Sequence, residues 1–258
     1  MTDASATAVP GLHPRFGDIQ GVLFDIDDTL VDLEYAMTTA LREVSEHLIP
    51  GLDAAGWHAV GRVFTHETSH YYDRYLAGEL TFNDQRILRG RAALGRVGVE
   101  LPEGEELQRW VQAYAEVQHG HVTAFADVAP LLDALDAAGL PYGAVSNNVH
   151  DYQRAKLNKA DLQRITHLVG TDTVGAAKPE PAIYLEGVRL LGTSPERTLY
   201  VGDNRLLDAE GATDAGLVGV WLDRGAALDG DFTGLRIAGL GELLRPLATA
   251  NKGSQGRG

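Results

Sequence analysis

Three carboxylates stand directly behind a short apolar run in Gly21-Val22-Leu23-Phe24-Asp25-Ile26-Asp27-Asp28-Thr29-Leu30. A strand's period of two puts Asp25 and Asp27 on one side and Asp28 on the other, for as long as the extended form persists. Two carboxylates held close repel, so the pair calls for a cation or a shared proton. Mg²⁺ suits that position, because it takes carboxylate oxygens and keeps room for water and a substrate phosphate. A strand ending in a plain acidic turn is the competing explanation, and the rest of the chain decides between the two.

Three more segments place polar groups where strands are expected to end. Ala144-Val145-Ser146-Asn147 offers a hydroxyl at a strand tip just before a helix, where backbone N–H groups favour a phosphate. Lys178-Pro179 follows Gly175-Ala176-Ala177, a stretch too rich in small residues for a helix interior. Lys178 is one of only four lysines (with Lys156, Lys159 and Lys252) among 22 basic residues. Tyr200-Val201-Gly202-Asp203-Asn204 ends another apolar run, and Asp208 follows about one helical turn later. A helix cap at Asp203 or Asn204 competes there with metal binding. Ligands of open α/β sheets bind at the carboxyl ends of the strands, where all of these groups are expected.

The elements that must position them follow from the pattern. Candidate strands are Val22–Phe24, Tyr142–Val145, His167–Val169, Thr198–Val201 and Val218–Leu222. Helical stretches at Pro130–Ala138, Asp151–Ala160, Pro181–Leu191 and Leu206–Ala215 alternate with them. That alternation predicts an α/β fold, a Rossmann-like parallel sheet with helices on both faces. The interval 33–124 reads differently, with helical periodicity throughout and breaks at Pro50-Gly51, Gly78 and Pro102. It is expected to be an all-helical domain inserted into a core made of 18–32 and 125–248. The ends, 1–17 and the glycine-rich 249–258, are expected to be disordered.

The four segments together resemble the four motifs of the haloacid dehalogenase-like (HAD) superfamily, in the family's order: Asp25-x-Asp27-x-Thr29, Ser146, Lys178, and Gly202-Asp203 with Asp208. Gln153-Arg154-x-Lys156-Leu157 and Asp203-Asn204-x4-Ala209 also look familial. The resemblance implies a Mg²⁺-dependent phosphatase with Asp25 as nucleophile and Asp27 as general acid/base. Asp25, the backbone carbonyl of Asp27 and Asp203 would hold the metal; Ser146, Asn147 and Lys178 would hold the phosphate; Asp208, Thr29 and Asn204 would support them. The insert would be a cap closing over the site. Relatives that cleave carbon–halogen bonds lack an acid at the second position, so Asp27 argues for phosphate esters. No lysine occurs between Leu33 and Ala124, which argues against the Schiff-base chemistry of phosphonate-cleaving relatives and against mutases with a basic cap set. A small phosphorylated metabolite, of nucleoside monophosphate or sugar phosphate type, is the implied substrate.

Composition agrees. A net charge of −14 disfavours nucleic acid and anionic membranes as partners, so a phosphate must be met by a local pocket. The absence of cysteine excludes thiolate zinc sites and cysteine nucleophiles. Met1 to Gly17 lacks a signal-peptide pattern, and no apolar run nears the roughly 18 residues of a membrane span, so a soluble cytoplasmic monomer or homodimer is expected. Two motifs point elsewhere. His66-Glu67-Thr68-Ser69-His70 matches the H-E-x-x-H pattern of zinc metalloproteases, but no third ligand follows, so the pair reads as surface or cap-packing residues. His119-Gly120-His121 reads as a hinge loop, and Arg86, Arg89 and Arg91 as a solvated helix face, with contact to a second anionic group of the substrate as the alternative. A phosphometabolite-binding regulator without turnover is a further alternative, although no motif position is missing.

Overall fold

The computed structural model of the chain describes residues 18–66, 69–225 and 232–244, together with His13 and Phe16. It divides into two compact units. The first holds Met1–Leu30, Ala124–Leu157 and Leu162–Gly258, and the second Val31–Thr123 with Asn158–Asp161.

The first unit is a six-stranded parallel sheet. Its strands are β1 (Gly21–Phe24), β2 (Tyr142–Val145), β3 (His167–Val169), β4 (Thr198–Gly202), β5 (Val218–Leu222) and β6 (Leu235–Ile237), in the order β3-β2-β1-β4-β5-β6. β1, β2 and β4 are buried along their whole length, as strands covered on both faces must be, and read as near-continuous apolar runs. Between the strands run α6 (Val128–Ala138), α7 (His150–Lys159), α8 (Thr171–Val174), α9 (Pro181–Leu191) and α10 (Gly211–Asp214). The connections through α6 and α7 step outward one way from β1, and those through α9 and α10 step the other way. Right-handed crossovers therefore put the two pairs on opposite faces. On the α9 side, Ile183, Tyr184, Val188 and Leu191 pack on Leu23, Val145, Val169 and Tyr200. β1 and β4 lie side by side where the strand order reverses, the place at which such sheets bind ligands.

Five strands stand within one residue of their sequence-based positions. The sixth, β6, was not expected; it is three residues long, pairs only with β5, and carries Arg236 at its centre. The helix expected over Leu206–Ala215 is split into a π-turn, Arg205–Glu210, followed by α10. The N-terminal segment is not wholly without structure: Phe16 is buried and the His13 amide donates to Leu243 O at 2.8 Å. The rest of 1–17, and the tail expected to be disordered over 249–258, lie outside the described residues.

The second unit is helical: α1 (Leu33–Ser45), α2 (Ala54–Thr65), α3 (Tyr71–Leu76), α4 (Phe82–Gly95) and α5 (Gly104–His121). Caps set its boundaries, with Asp32 starting α1, Asp53 starting α2, and Thr81 with Asp84 forming a reciprocal capping box on α4. Its own core gathers Leu41, Trp57, Phe64, Leu94, Trp110 and Tyr114. The Trp110 indole donates to Ser45 Oγ at 3.0 Å, satisfying both polar groups inside that core.

Two readings of this unit are corrected. Arg86 and Arg89 are buried instead of solvated: the Arg86 guanidinium lies 4.8 Å from the Phe82 and Tyr114 rings, and Arg89 Nε donates to Phe64 O at 2.7 Å. Arg91 alone of the three is exposed. His119 and His121 occupy the last turn of α5, not a hinge loop, and His121 Nε2 lies 2.9 Å from Glu43 Oε1. His66 and His70 are exposed, in keeping with their reading as surface residues, and the zinc-protease pattern would need both on one helix, whereas α2 ends at Thr65 and α3 begins at Tyr71. Glu67 and Thr68 lie outside the described residues.

Candidate active site

β1 ends at Phe24, and the Asp25 amide still donates to Val201 O at 2.9 Å, so Asp25 leaves the sheet beside the end of β4. The extended form does not persist. Leu30 N closes back on Ile26 O at 2.9 Å and Asp28 adopts a left-handed φ of 57°, which turns the chain over Asp25. The alternation expected for Asp25, Asp27 and Asp28 therefore stops at the strand's end.

Asp25 is only 6% exposed. Lys178 Nζ donates to Asp25 Oδ1 at 2.6 Å and to Asp208 Oδ1 at 2.7 Å, so one buried ammonium joins two carboxylates from distant segments. Burial would lower the Lys178 ammonium's pKa, but Asp208 and Asp25 outweigh it and hold the group well above its ordinary value. Burial pushes the Asp25 carboxyl up to about 7, against the pull of Lys178 and with Asp208 and Asp27 adding to the rise. Asp203 is also raised well above the usual carboxylate range, by burial and then by the charges of Asp25 and Asp208. One lysine does not neutralise this group of acids.

Carboxylate oxygens of Asp25, Asp203 and Asp208 lie within 4.8 Å of one another, the one such cluster among the described residues. Hard oxygen donors at that spacing fit a divalent cation such as Mg²⁺. The three are not equivalent. Asp208 Oδ1 accepts from Lys178 and Oδ2 from the Asn204 amide at 2.9 Å, whereas Asp203 is held through Thr29 and its backbone. Asp208 can approach because position 202 is glycine: a Cβ there would lie 2.2 Å from Asp208 Cγ. Asn204 is the helix cap, its Oδ1 accepting from Leu206 N at 3.1 Å and Leu207 N at 3.0 Å; Asp203 makes no such bond.

The second and third segments are tied together by Asn147. Its Nδ2 donates to Lys178 O at 3.0 Å and its Oδ1 accepts from Lys178 N at 2.6 Å, fixing the backbone that aims the lysine. Ser146, 3% exposed, stands at the end of β2. The structure therefore links Asp25, Lys178, Asp208, Asp203, Asn204 and Thr29 in one network, and joins Asn147 to it through the Lys178 backbone.

Asp27 and Ser146 belong to a second network that the motif residues alone did not reveal. Lys156 Nζ ion-pairs with Asp27 Oδ1, while Gln153 Nε2 donates to Asp27 Oδ2 at 3.0 Å and to Ser146 Oγ at 2.7 Å. A signal was present: Gln153 and Lys156 belong to the stretch Gln153-Arg154-x-Lys156-Leu157 that looks familial, and they recur at the i, i+3 spacing of one helix face. Arg224 was also missed. Its guanidinium binds both Asp127 oxygens, at 2.9 and 3.0 Å, donates to Thr29 O at 2.9 Å and lies 3.8 Å from the Phe125 ring centre.

A family model described as haloacid dehalogenase-like hydrolase matches residues 19–216. The chain belongs to the haloacid dehalogenase-like hydrolases. Among curated relatives, the glyceraldehyde 3-phosphate phosphatase of Methanopyrus kandleri is 31% identical over 212 residues, covering 82% of this chain and 87% of that protein. The phosphoglycolate phosphatase of Escherichia coli K12 is 31% identical over 218 residues, covering 82% and 84%. Such relatives place this HAD-like chain among the phosphoric monoester hydrolases. Of solved structures, the HAD-hydrolase YfnB from Bacillus subtilis, crystallised with magnesium, aligns with a TM-score of 0.67 at 22% identity over 87% of this chain and 96% of that one. The L-2-haloacid dehalogenase of Xanthobacter autotrophicus aligns at 0.56 with 24% identity over 80% and 78%; both likenesses are of fold alone. No helix among the described residues is long and apolar enough to cross a membrane.

Proposed function

We propose that the protein is a Mg²⁺-dependent phosphatase that hydrolyses a small phosphorylated metabolite through an aspartyl-phosphate on Asp25. The observation that carries this reading is the buried Asp25 carboxylate, bonded to Lys178 at the end of β1 and clustered with Asp203. An anion attacking an anionic ester needs its charge offset and its geometry fixed, and a buried ammonium plus a cation site serve both needs.

Asp25, the Asp27 carbonyl and Asp203 would hold the metal, with Asp208 in support because its two oxygens already accept from Lys178 and Asn204. Bound there, a divalent cation offsets negative charge on the phosphate. Asp25 attacks phosphorus through a carboxylate oxygen, and the bond to the leaving oxygen breaks with its electron pair staying on that oxygen. Asp27 supplies the proton that completes the alcohol. In the second half, water attacks the acyl-phosphate and gives its proton to Asp27, which releases inorganic phosphate and regenerates the Asp25 carboxylate. Ser146, the Asn147 amide and Lys178 hold the phosphate oxygens.

The helical unit Val31–Thr123 is assigned the role of a cap, supported by its insertion directly after the first motif and by its own hydrophobic core. Residues 18–32 and 125–248 are assigned the catalytic core. The relatives' names support a small phosphorylated substrate, and the net charge of −14 supports a protein that avoids nucleic acid and anionic membranes; a cytoplasmic monomer or homodimer is part of the same proposal. Hydrolysis of p-nitrophenyl phosphate with and without Mg²⁺, in the wild type and Asp25→Asn, tests the reading. Turnover that needs the metal and is lost in the variant supports it; metal-independent turnover, or an active variant, contradicts it.

A further inference from the structure

Asp27 is anchored from the middle of the sequence. Lys156 and Gln153, 129 and 126 residues away, come from α7 and engage both oxygens of its carboxylate. Gln153 is fully buried and Lys156 is 6% exposed, whereas the Asp27 side chain keeps 28% exposure. The donors are thus rigid and the acid they hold still meets solvent. Gln153 also spends its second N–H on Ser146 Oγ, so one amide spans two motif residues.

The amide's orientation is fixed by those acceptors. Turned the other way, its oxygen would face the Asp27 carboxylate. As it stands, Gln153 Oε1 is buried with no hydrogen-bond partner among the described residues. A buried orphan acceptor costs about 1–3 kcal/mol, so the arrangement is poor for stability alone. Such local costs are tolerated where they position a functional group.

We propose that Gln153 and Lys156 are positioning residues for Asp27. They hold its carboxyl in the orientation from which it serves the leaving oxygen, and Gln153 keeps that orientation in step with the phosphate-binding hydroxyl of Ser146. Both act through Asp27 and Ser146, and neither is assigned a contact with the substrate. The proposal rests on the reading of Asp27 as general acid/base.

Leaving-group dependence separates positioning from mere support. Phenyl phosphate and p-nitrophenyl phosphate have nearly the same shape, but phenolate is much the more basic leaving group and needs protonation far more. With Mg²⁺ present, kcat/KM on both esters is compared for wild type, Asp27→Asn, Lys156→Met, Lys156→Arg and Gln153→Asn, with thermal unfolding recorded for each. Lys156→Met and Gln153→Asn are expected to lose on the order of ten-fold more on phenyl phosphate than on p-nitrophenyl phosphate, in the same sense as Asp27→Asn. Lys156→Arg, which keeps a cationic N–H donor, is expected to restore much of that ratio. Equal losses on both esters, beside a selective loss in Asp27→Asn, overturn the positioning proposal and leave the proposed function standing. No selective loss in Asp27→Asn overturns the acid assignment itself. If Lys156→Met does not fold, Gln153→Asn, which shortens the amide without removing it, reads the same ratio.

Discussion

Thr29 and Asp203, 174 residues apart, are joined by two hydrogen bonds: the Asp203 amide donates to Thr29 Oγ1 at 3.0 Å, and that hydroxyl donates to Asp203 Oδ1 at 3.4 Å. The hydroxyl is fully buried and thus locks the turn after β1 to the end of β4. Trp221 holds the same residue from the other side, its indole donating to Asp203 O at 2.9 Å.

Thr29→Val keeps the shape and removes the hydroxyl. The Asp203 amide then loses its partner, at an expected cost of about 1–3 kcal/mol in unfolding free energy. Asp203 also loses a constraint on its carboxylate, so the Mg²⁺ concentration for half-maximal activity should rise. Urea denaturation reads the first effect and a metal titration the second.

Asp25 makes the metal-free protein sensitive to pH. Its carboxyl is pushed up by burial from 3.8 to about 7 in the fold, so the folded state prefers the protonated form. Folding then takes up a proton between those values. The stability from this group is full below the unfolded value and is lost as pH rises through about 7, amounting to a few kcal/mol at most. The raised Asp203 acts in the same direction. Without metal, Asp25→Asn should therefore be more stable than the wild type at pH 8, with the gap narrowing towards pH 5. Thermal unfolding of both proteins at the two pH values checks the sign. Mg²⁺ should stabilise the wild type at pH 8, through binding to the ionised native site.

Lys178→Met should be the most damaging single change in the core. It strips the shared cation from Asp25 and Asp208, both buried, and removing one partner from such a group costs about 3–5 kcal/mol. Lys178→Arg is not a rescue, because a planar fork does not replace a compact ammonium between two carboxylates. Both variants should lose activity, measured alongside circular dichroism.

Gly202→Ala tests the close approach of Asp208. The added Cβ would meet Asp208 Cγ at 2.2 Å, a contact that forces the carboxylate or the strand end to shift. A loss of about 1–3 kcal/mol is expected from overpacking, with reduced activity from a displaced partner of Lys178. Unfolding and p-nitrophenyl phosphate assays on the purified variant decide it.

Much of the first unit and its candidate site was legible because the candidate residues sit at strand ends and the strands are short apolar runs. Asp25, Asp203, Asp208 and Lys178 come together in the fold from segments that the sequence marks separately. The local pattern misled where a tertiary contact decides. Asn204 and the buried Asp208 turn an apparently regular helix into a π-turn. Arg86 and Arg89 look solvated by composition, yet they are enclosed by Phe82, Phe64 and Tyr114, which periodicity along α4 cannot reveal. β6 has too few residues, and a central arginine, to register as a strand. Gln153 and Lys156 were visible as a spaced pair, but their target lies more than a hundred residues away.

A covalent phosphate on Asp25 can be trapped chemically. Enzyme mixed with p-nitrophenyl phosphate and Mg²⁺, quenched in acid and reduced with borohydride, converts an acyl-phosphate into an alcohol that peptide mass spectrometry locates. Homoserine is expected at position 25, and is expected to be absent without substrate. Turnover under the same conditions with an unmodified Asp25, or reduction at another carboxylate, would contradict it.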